Sequence, residues 1–307
     1  MKNIYFILVI FLSFFLASCT SSDDETLVND GERKLRHLTI TQVENDATTR
    51  SLFDLTRASL TENEADNTLS ASWTARDELS LCILTDLGSP ISSIGTLTTL
   101  SPGETSGFST SIVCGIGDFI AVVYPKNKIN SNLTNNDVTF SLDLSEQDGK
   151  LNTLANNYHF IYGLSEITSV TDNTASATIK MKSLLTICKF SFKDNETGLL
   201  IPINTLSICS TDDSSFGKAG TYPNSAFIKV DKELNVEFKG NSGDYPLTIQ
   251  CNGQEEIYVA LLPTPGTEKM SFGFSVNEEY YGEAKAKLNA GEFVPALNLK
   301  LTKQTNN

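Results

Sequence analysis

Cys188-Lys189-Phe190-Ser191-Phe192 places apolar side chains two residues apart, with a charge and a hydroxyl between them. Successive side chains of an extended chain point to opposite faces, so this spacing gives one apolar face, as a half-buried strand requires. The same period recurs at Leu79/Leu81/Ile83, Val138/Phe140/Leu142, Leu234/Val236/Phe238, Phe272/Phe274/Val276 and Leu297/Leu299/Leu301. Turn-forming clusters separate these runs: Ser101-Pro102-Gly103, residues 127–136, Asp212 to Ser215, and Gly240-Asn241-Ser242-Gly243-Asp244. The only stretch with helical character, residues 145–156, is short and reads as a turn. The pattern predicts an all-β chain, and one of this length is read as two β-sandwich domains rather than one barrel. Ser, Thr, Asp and Asn interrupt two β-rich halves at residues 168–174, which predicts an N-terminal domain over 38–170 and a C-terminal domain over 171–303.

The amino terminus sets the expected compartment. Lys2 is followed by an apolar block from Ile4 to Ala17 that is broken only by Ser13 and is too short for a comfortable membrane span, so residues 1–18 read as a signal peptide. Leu16-Ala17-Ser18-Cys19 resembles a bacterial lipobox, which makes Cys19 the expected lipidated first residue of the mature chain. The acidic run Ser21-Ser22-Asp23-Asp24-Glu25 resembles the signal that sends lipoproteins of Bacteroidota to the outer face of the outer membrane; the alternative is a solvated linker. Residues 19–37 read as the lipidated terminus and a polar tether. Loss of Lys2 with the leader takes the net charge from −14 to −15, which repels nucleic acid and anionic lipid. Contact with a membrane is therefore expected only through the lipid.

Residues suited to catalysis are scarce. Apart from Cys19 there are five cysteines, an odd number with no C-x-x-C pair, which makes neither a full disulfide framework nor a zinc knuckle; one incidental disulfide is the alternative to five buried thiols. The two histidines, His37 and His159, lie far apart in sequence and do not support a metal site or a triad. Cys114-Gly115-Ile116-Gly117 reads as a turn, and no phosphate-binding loop or G-x-S-x-G elbow is present. Glu255-Glu256 and Glu278-Glu279 are sequence neighbours, hence on opposite faces of a strand, and read as edge and turn solvation. Asp212-Asp213 lacks the spacing of an EF-hand. No catalytic residue, metal or cofactor is expected. Trp73, the sole tryptophan, reads as a core residue, Asp77 as a turn cap, and Gly291 as a positive-φ position before the last strand.

Taken in order, several segments resemble the fimbrillin-like (Mfa-like) lipoproteins of Bacteroidota. Thr56-Arg57-Ala58-Ser59 precedes Trp73-Thr74-Ala75-Arg76-Asp77, which is similar to the family's W-x-x-G-D strand opener with Arg76 in place of glycine. Phe119 to Pro125 resembles the aromatic strand that closes on Tyr-Pro, and Gln147 with Tyr158 to Gly163 resembles the end of the first domain. Ile179 to Leu185, Ile257 to Pro263 and Leu288 to Phe293 match segments of the second, although the histidine often found near Lys182 or Ser183 is absent. The likeness covers nearly everything after the leader.

This resemblance implies two transthyretin-like β-sandwich domains in tandem, a cell-surface fimbrial (pilus) subunit or a tip or anchor lipoprotein, and a role in adhesion rather than catalysis. It also implies that the precursor is cut after an arginine, that an early strand leaves the first domain, and that a strand of the next subunit fills the groove. The strand to be displaced would be Leu38, Ile40 and Gln42 with their alternating threonines. The cut would fall at Arg57, whose flanks match the family, or at Arg50, unless both are ordinary loop residues. The donor would be Leu297, Leu299 and Leu301, which could equally form a fixed strand of the second domain. Expected partners are other fimbrial subunits and a host or bacterial surface ligand. The alternative is a surface lipoprotein that binds glycan or host ligand without polymerising. If Cys19 is the anchor, Cys19→Ala abolishes metabolic lipid labelling and releases or mislocalises the protein; undiminished labelling would refute it.

Overall fold

The computed structural model describes residues 32–43, 59–65, 68–85, 91–103, 106–126, 138–213, 217–230, 236–240 and 245–304. In chain order the strands are β1 (Lys34–Gln42), β2 (Ser59–Asn63), β3 (Thr68–Ser72), β4 (Glu78–Leu84), β5 (Ile91–Thr99), β6 (Gly107–Cys114), β7 (Phe119–Tyr124), β8 (Val138–Asp143), β9 (Ile161–Val170), β10 (Thr174–Ile179) and β11 (Met181–Ser183). They continue as β12 (Thr186–Asp194), β13 (Ile203–Ser210), β14 (Ser225–Val230), β15 (Val236–Gly240), β16 (Leu247–Gln254), β17 (Ile257–Leu261), β18 (Met270–Val276), β19 (Tyr280–Ala286) and β20 (Phe293–Lys303). The expected all-β class holds. Among the described residues one helix, α1 (Leu151–Asn157), stands where the sequence suggested only a turn. It forms because Leu154 and Ala155 have a core to enter, a tertiary gain that a seven-residue helix needs.

Two β bodies result. In the first, the sheet runs β10-β1-β6-β5-β4-β7-β9-β11, and β10 also pairs with β9, so that the sheet closes on itself. Leu79, Leu81 and Ile83 of β4 fill the interior, while Cys82 and Leu84 of the same strand enter a second, larger core. Burial on both faces accounts for the near-continuous apolar run of this strand. In the second body the order is β16-β13-β18-β19-β20-β12-β17. Phe190, Phe192 and Phe274 cluster at its centre, with ring centroids 5.5 to 5.9 Å apart.

The join expected at 170/171 falls inside the first body. β10 pairs with β1 and β9, and β11 pairs with β9, so the first sheet extends to Ser183. Ser/Thr/Asp/Asn composition marks a tight turn here, with Thr171 and Thr174 bonded across it, rather than a boundary. The expected tether is also shorter at its end: Lys34, Arg36 and His37 belong to β1.

Among the described residues, the two halves share the larger hydrophobic core, and polar contacts of three kinds join them as well. The backbone of β8 pairs with that of β14 from Val138↔Val230 to Asp143↔Ser225. The buried Gln147 amide mimics a strand: the Ala260 N–H donates to its Oε1 at 2.7 Å, and its Nε2 donates to the Ala260 carbonyl at 3.1 Å. Together with the Tyr258 N–H donating to the Gly149 carbonyl, this covers the outer edge of β17, which would otherwise be open to pairing. The third contact is charged. Lys189 of β12 reaches Glu62 of β2 at 2.9 Å and Glu256 at 2.8 Å, and Tyr258 donates its hydroxyl hydrogen to Glu62. Glu256 is thus an ion-pair partner as well as an edge residue. Burial alone would lower the pKa of Lys189, but its hydrogen bonds to Glu256 and Glu62 hold it above its ordinary value. The raised pKa means that this contribution is complete below about pH 10.4 and is lost only as pH rises through the folded value.

Glu62 and Lys189 keep only 8% and 6% of their side-chain surface exposed, so removing Glu62 leaves a nearly buried ammonium with the half-exposed Glu256 as its remaining carboxylate. Glu62→Ala is expected to cost about 3–5 kcal/mol in urea unfolding. Glu62→Leu combined with Lys189→Met is expected to recover most of it; equal losses in both variants would show that the charges themselves stabilise the junction.

Candidate functional site

β1 is the natural centre of a candidate site because it is the strand that closes the first body. It lies antiparallel to β6, from Lys34↔Cys114 to Thr41↔Gly107, and parallel to β10, from His37↔Thr174 to Gln42↔Ile179. Its inward positions are Arg36, Leu38, Ile40 and Gln42, all buried, whereas Leu35, His37 and Thr41 face outward and are exposed. Leu38 and Ile40 are fully enclosed, beside Phe108 and Trp73 in the interior cluster. Burying each is worth about 1.5–3 kcal/mol relative to exposure.

Polar residues close both ends of this inward row. At one end the Arg36 guanidinium, only 1% exposed, donates to the carbonyls of Thr171 at 2.7 Å, Glu32 at 3.0 Å and Cys114. Beside it Arg33 pairs with the buried Asp118 at 2.9 Å, and the Gly115 N–H donates to the same carboxylate oxygen at 2.8 Å. At the other end Trp73 Nε1 donates to Gln42 Oε1 at 2.6 Å. The indole also meets Phe108 and Tyr124 edge-on, with centroids 5.1 and 5.7 Å away. Trp73 is thus the expected core residue, and it also fixes the end of β1.

The turn after Trp73 strains the backbone at Arg76. Asp77 accepts from the Thr74 N–H and hydroxyl, both at 2.6 Å, which is the turn-capping role expected for it. This fold places residue 76 at φ 72°, a left-handed conformation that glycine adopts without strain and arginine does not. Gly291 likewise has a positive φ, of 75°.

The remaining site expectations separate into two groups. Cys19, Arg50 and Arg57 lie outside the described residues. Leu297, Leu299 and Leu301 lie in β20, which runs parallel to β12 from Ile187↔Phe293 to Asp194↔Leu301 and meets β19 at Tyr280↔Lys303 and Tyr281↔Thr302. In this chain they therefore belong to the second body. A register shift interrupts their alternation: Phe190 faces Ala296 but Phe192 faces Leu299, with Asn298 at φ 58° and its N–H donating to Ser191 Oγ. As a result Leu299 packs on the large core with Val294 and Ala296, while Leu297 does not. Where β19 and β20 diverge, Phe190, Phe274, Ala284, Val294 and Leu299 help to line an apolar cavity of about 210 Å³.

Among the described residues, all five cysteines are free thiols and no group of three His, Cys, Asp or Glu side chains could hold a metal ion. Burial pushes the thiols up, Cys82 to about 12 and Cys251 to about 11, the latter helped by Asp148, so neither is an activated nucleophile at neutral pH. The sequence reading missed buried Arg36 and the Trp73–Gln42 bond. A signal existed: Arg36 and Gln42 share the parity of Leu38 and Ile40, so period two alone places them inside.

Replacing Arg76 by glycine removes the left-handed strain without disturbing the Asp77 bonds. Arg76→Gly is expected to raise stability by about 0.5–1 kcal/mol, seen as a higher urea midpoint at unchanged slope. A lower midpoint would mean that the exposed arginine side chain contributes more than its backbone costs.

No protein-family model and no curated protein matches the chain. Among solved structures, a "putative cell adhesion protein" from Bacteroides uniformis is similar over 89% of this chain and 97% of its own, with a TM-score of 0.51 and 13% identity. A second "putative cell adhesion protein", from Bacteroides ovatus, gives the same coverages and TM-score at 12% identity. At such identities the likeness is one of architecture, and the chain has the all-β, two-body fold of these Bacteroides proteins.

Proposed function

We propose that the protein is an exported surface lipoprotein acting as a fimbrial subunit, or as a tip or anchor component, and that it serves adhesion after β1 is removed and replaced by a strand from a neighbouring subunit. The observation that carries this reading is the position of β1. It is the first described strand of the chain, it closes the first body between β6 and β10, and it is followed by residues 44–58, which contain Arg50 and Arg57. A strand so placed can leave without reordering the rest of the chain, and its departure uncovers both an apolar floor and two rows of backbone donors and acceptors. The two Bacteroides proteins of the same fold, described as cell adhesion proteins, support the adhesive part of the reading. Anchoring through Cys19 on the outer membrane completes it and keeps the mature chain's net negative surface in solvent. The reading invokes no catalytic step, metal or cofactor.

A second reading, a non-polymerising lipoprotein that binds glycan or host ligand, is favoured by one feature. The outer face of β13, β18 and β19 carries an open groove of about 390 Å³, where Gly273 leaves space beside Ser207, Cys209 and Tyr281.

Limited digestion with a trypsin-like protease separates the two. On the first reading it cuts at Arg50 or Arg57, spares the rest, and leaves a folded protein that associates into oligomers resistant to mild detergent. A product confirmed as cut at either arginine, yet monomeric at high concentration, favours the second.

A further inference from the structure

The inward row of β1 carries two polar ends around an apolar middle, and that arrangement bears on which strand the groove can accept. We infer that the Trp73 indole N–H is a register reader: the groove accepts a strand that presents a hydrogen-bond acceptor where Gln42 stands, with apolar residues two and four positions before it and a basic residue six positions before it. This rests on the strand-addition reading and specifies the chemistry of the partner strand.

Trp73 itself is only 1% exposed and directs its N–H to Gln42 Oε1 at 2.6 Å. Gly103 exchanges backbone hydrogen bonds with Trp73 at 2.8 and 3.1 Å, and Phe108 and Tyr124 stand edge-on to the ring, so the indole is held in place from several sides. An incoming leucine opposite it would leave a buried donor unmet. At the far end the carbonyls of Thr171 and Cys114 converge on Arg36 and call for a donor. A slip of one residue turns every side chain to the wrong face. A slip of two that advances the apolar pair sets an aliphatic side chain against the indole N–H, and a slip of two the other way sets one against the carbonyls that hold Arg36, so the two ends admit one register.

The chain's own β20 does not meet this requirement. Registers that set two of Leu297, Leu299 and Leu301 at the positions of Leu38 and Ile40 bring Leu301 or Lys303 opposite Trp73 when the strand runs as β1 does, and Leu297 or Pro295 when it is reversed. None of these side chains supplies an acceptor. The favoured partner strand therefore has the pattern basic-x-apolar-x-apolar-x-amide, which residues 36–42 of this chain exemplify.

The test uses full-length protein cut at Arg50 or Arg57 and four labelled peptides: residues 34–43, the same peptide with Gln42→Leu, residues 295–304, and the first peptide with Gln42→Glu. The expected result is capture of the first peptide about tenfold more tightly than the second or third. In protein carrying Trp73→Phe, which keeps the ring but loses the N–H, the advantage over the leucine peptide should shrink to within about twofold. A peptide with Gln42→Glu, which keeps an acceptor, should bind closer to the native peptide than to the leucine one. Capture without preference, or a preference that survives Trp73→Phe, overturns the register reader and leaves strand addition standing. Failure of the cut protein to capture any peptide removes strand addition, and the register reader with it. Hydrogen exchange of the β1 amides in uncut Trp73→Phe protein verifies that the variant retains its fold.

Discussion

Closure of the first sheet by β1 is the constraint on which the rest of that body depends. Without it, β6 and β10 each present an unpaired edge, and the cluster around Trp73 and Phe108 is open to water. A strand in this position stabilises in two independent ways, through backbone pairing on both sides and through two fully enclosed aliphatic side chains. The same two terms would be available to any replacement strand of suitable alternation. Closure of the first body therefore rests on a single strand that contributes in both ways at once.

The second body is capped at one edge and tied to the first. Its outer edge at β17 is covered by the Gln147 side chain and the Gly149 carbonyl, which leaves those backbone groups of the strand paired within the chain. The β2–β3 hairpin, which follows residues 44–58, is tied to β12 by the Lys189–Glu62 pair and by Leu60, Leu69 and Ala71 in the large core. The buried ion pair is a costly way to make such a tie, and it is sustained here by two further partners, Glu256 on the lysine and Tyr258 on the Glu62 carboxylate.

Arg76 illustrates a backbone requirement met by a residue poorly suited to it. The W-x-x-G-D pattern places glycine where this fold needs φ of 72°, and the Asp77 and Thr74 bonds hold that conformation with arginine in place. The side chain is exposed and meets no packing constraint, so the strain at residue 76 is confined to the backbone.

Period two determined the all-β class, because alternation is a local property that any sheet must satisfy whatever its neighbours. It also determined that Leu38 and Ile40 point inward, and by parity that Arg36 and Gln42 do too. The inward burial of a charged and an amide residue was not drawn from it, since only tertiary structure supplies the Thr171 carbonyl and the Trp73 N–H that satisfy them. The end of the first body was misplaced for a related reason: a polar cluster at 168–174 marks a turn, and whether a turn separates domains depends on where the next strand pairs, here on β1 more than a hundred residues earlier. The bulge at Asn298 and the halves joined by β8 and β14 were likewise invisible, because register and long-range pairing are fixed by the partner strand rather than by the strand itself.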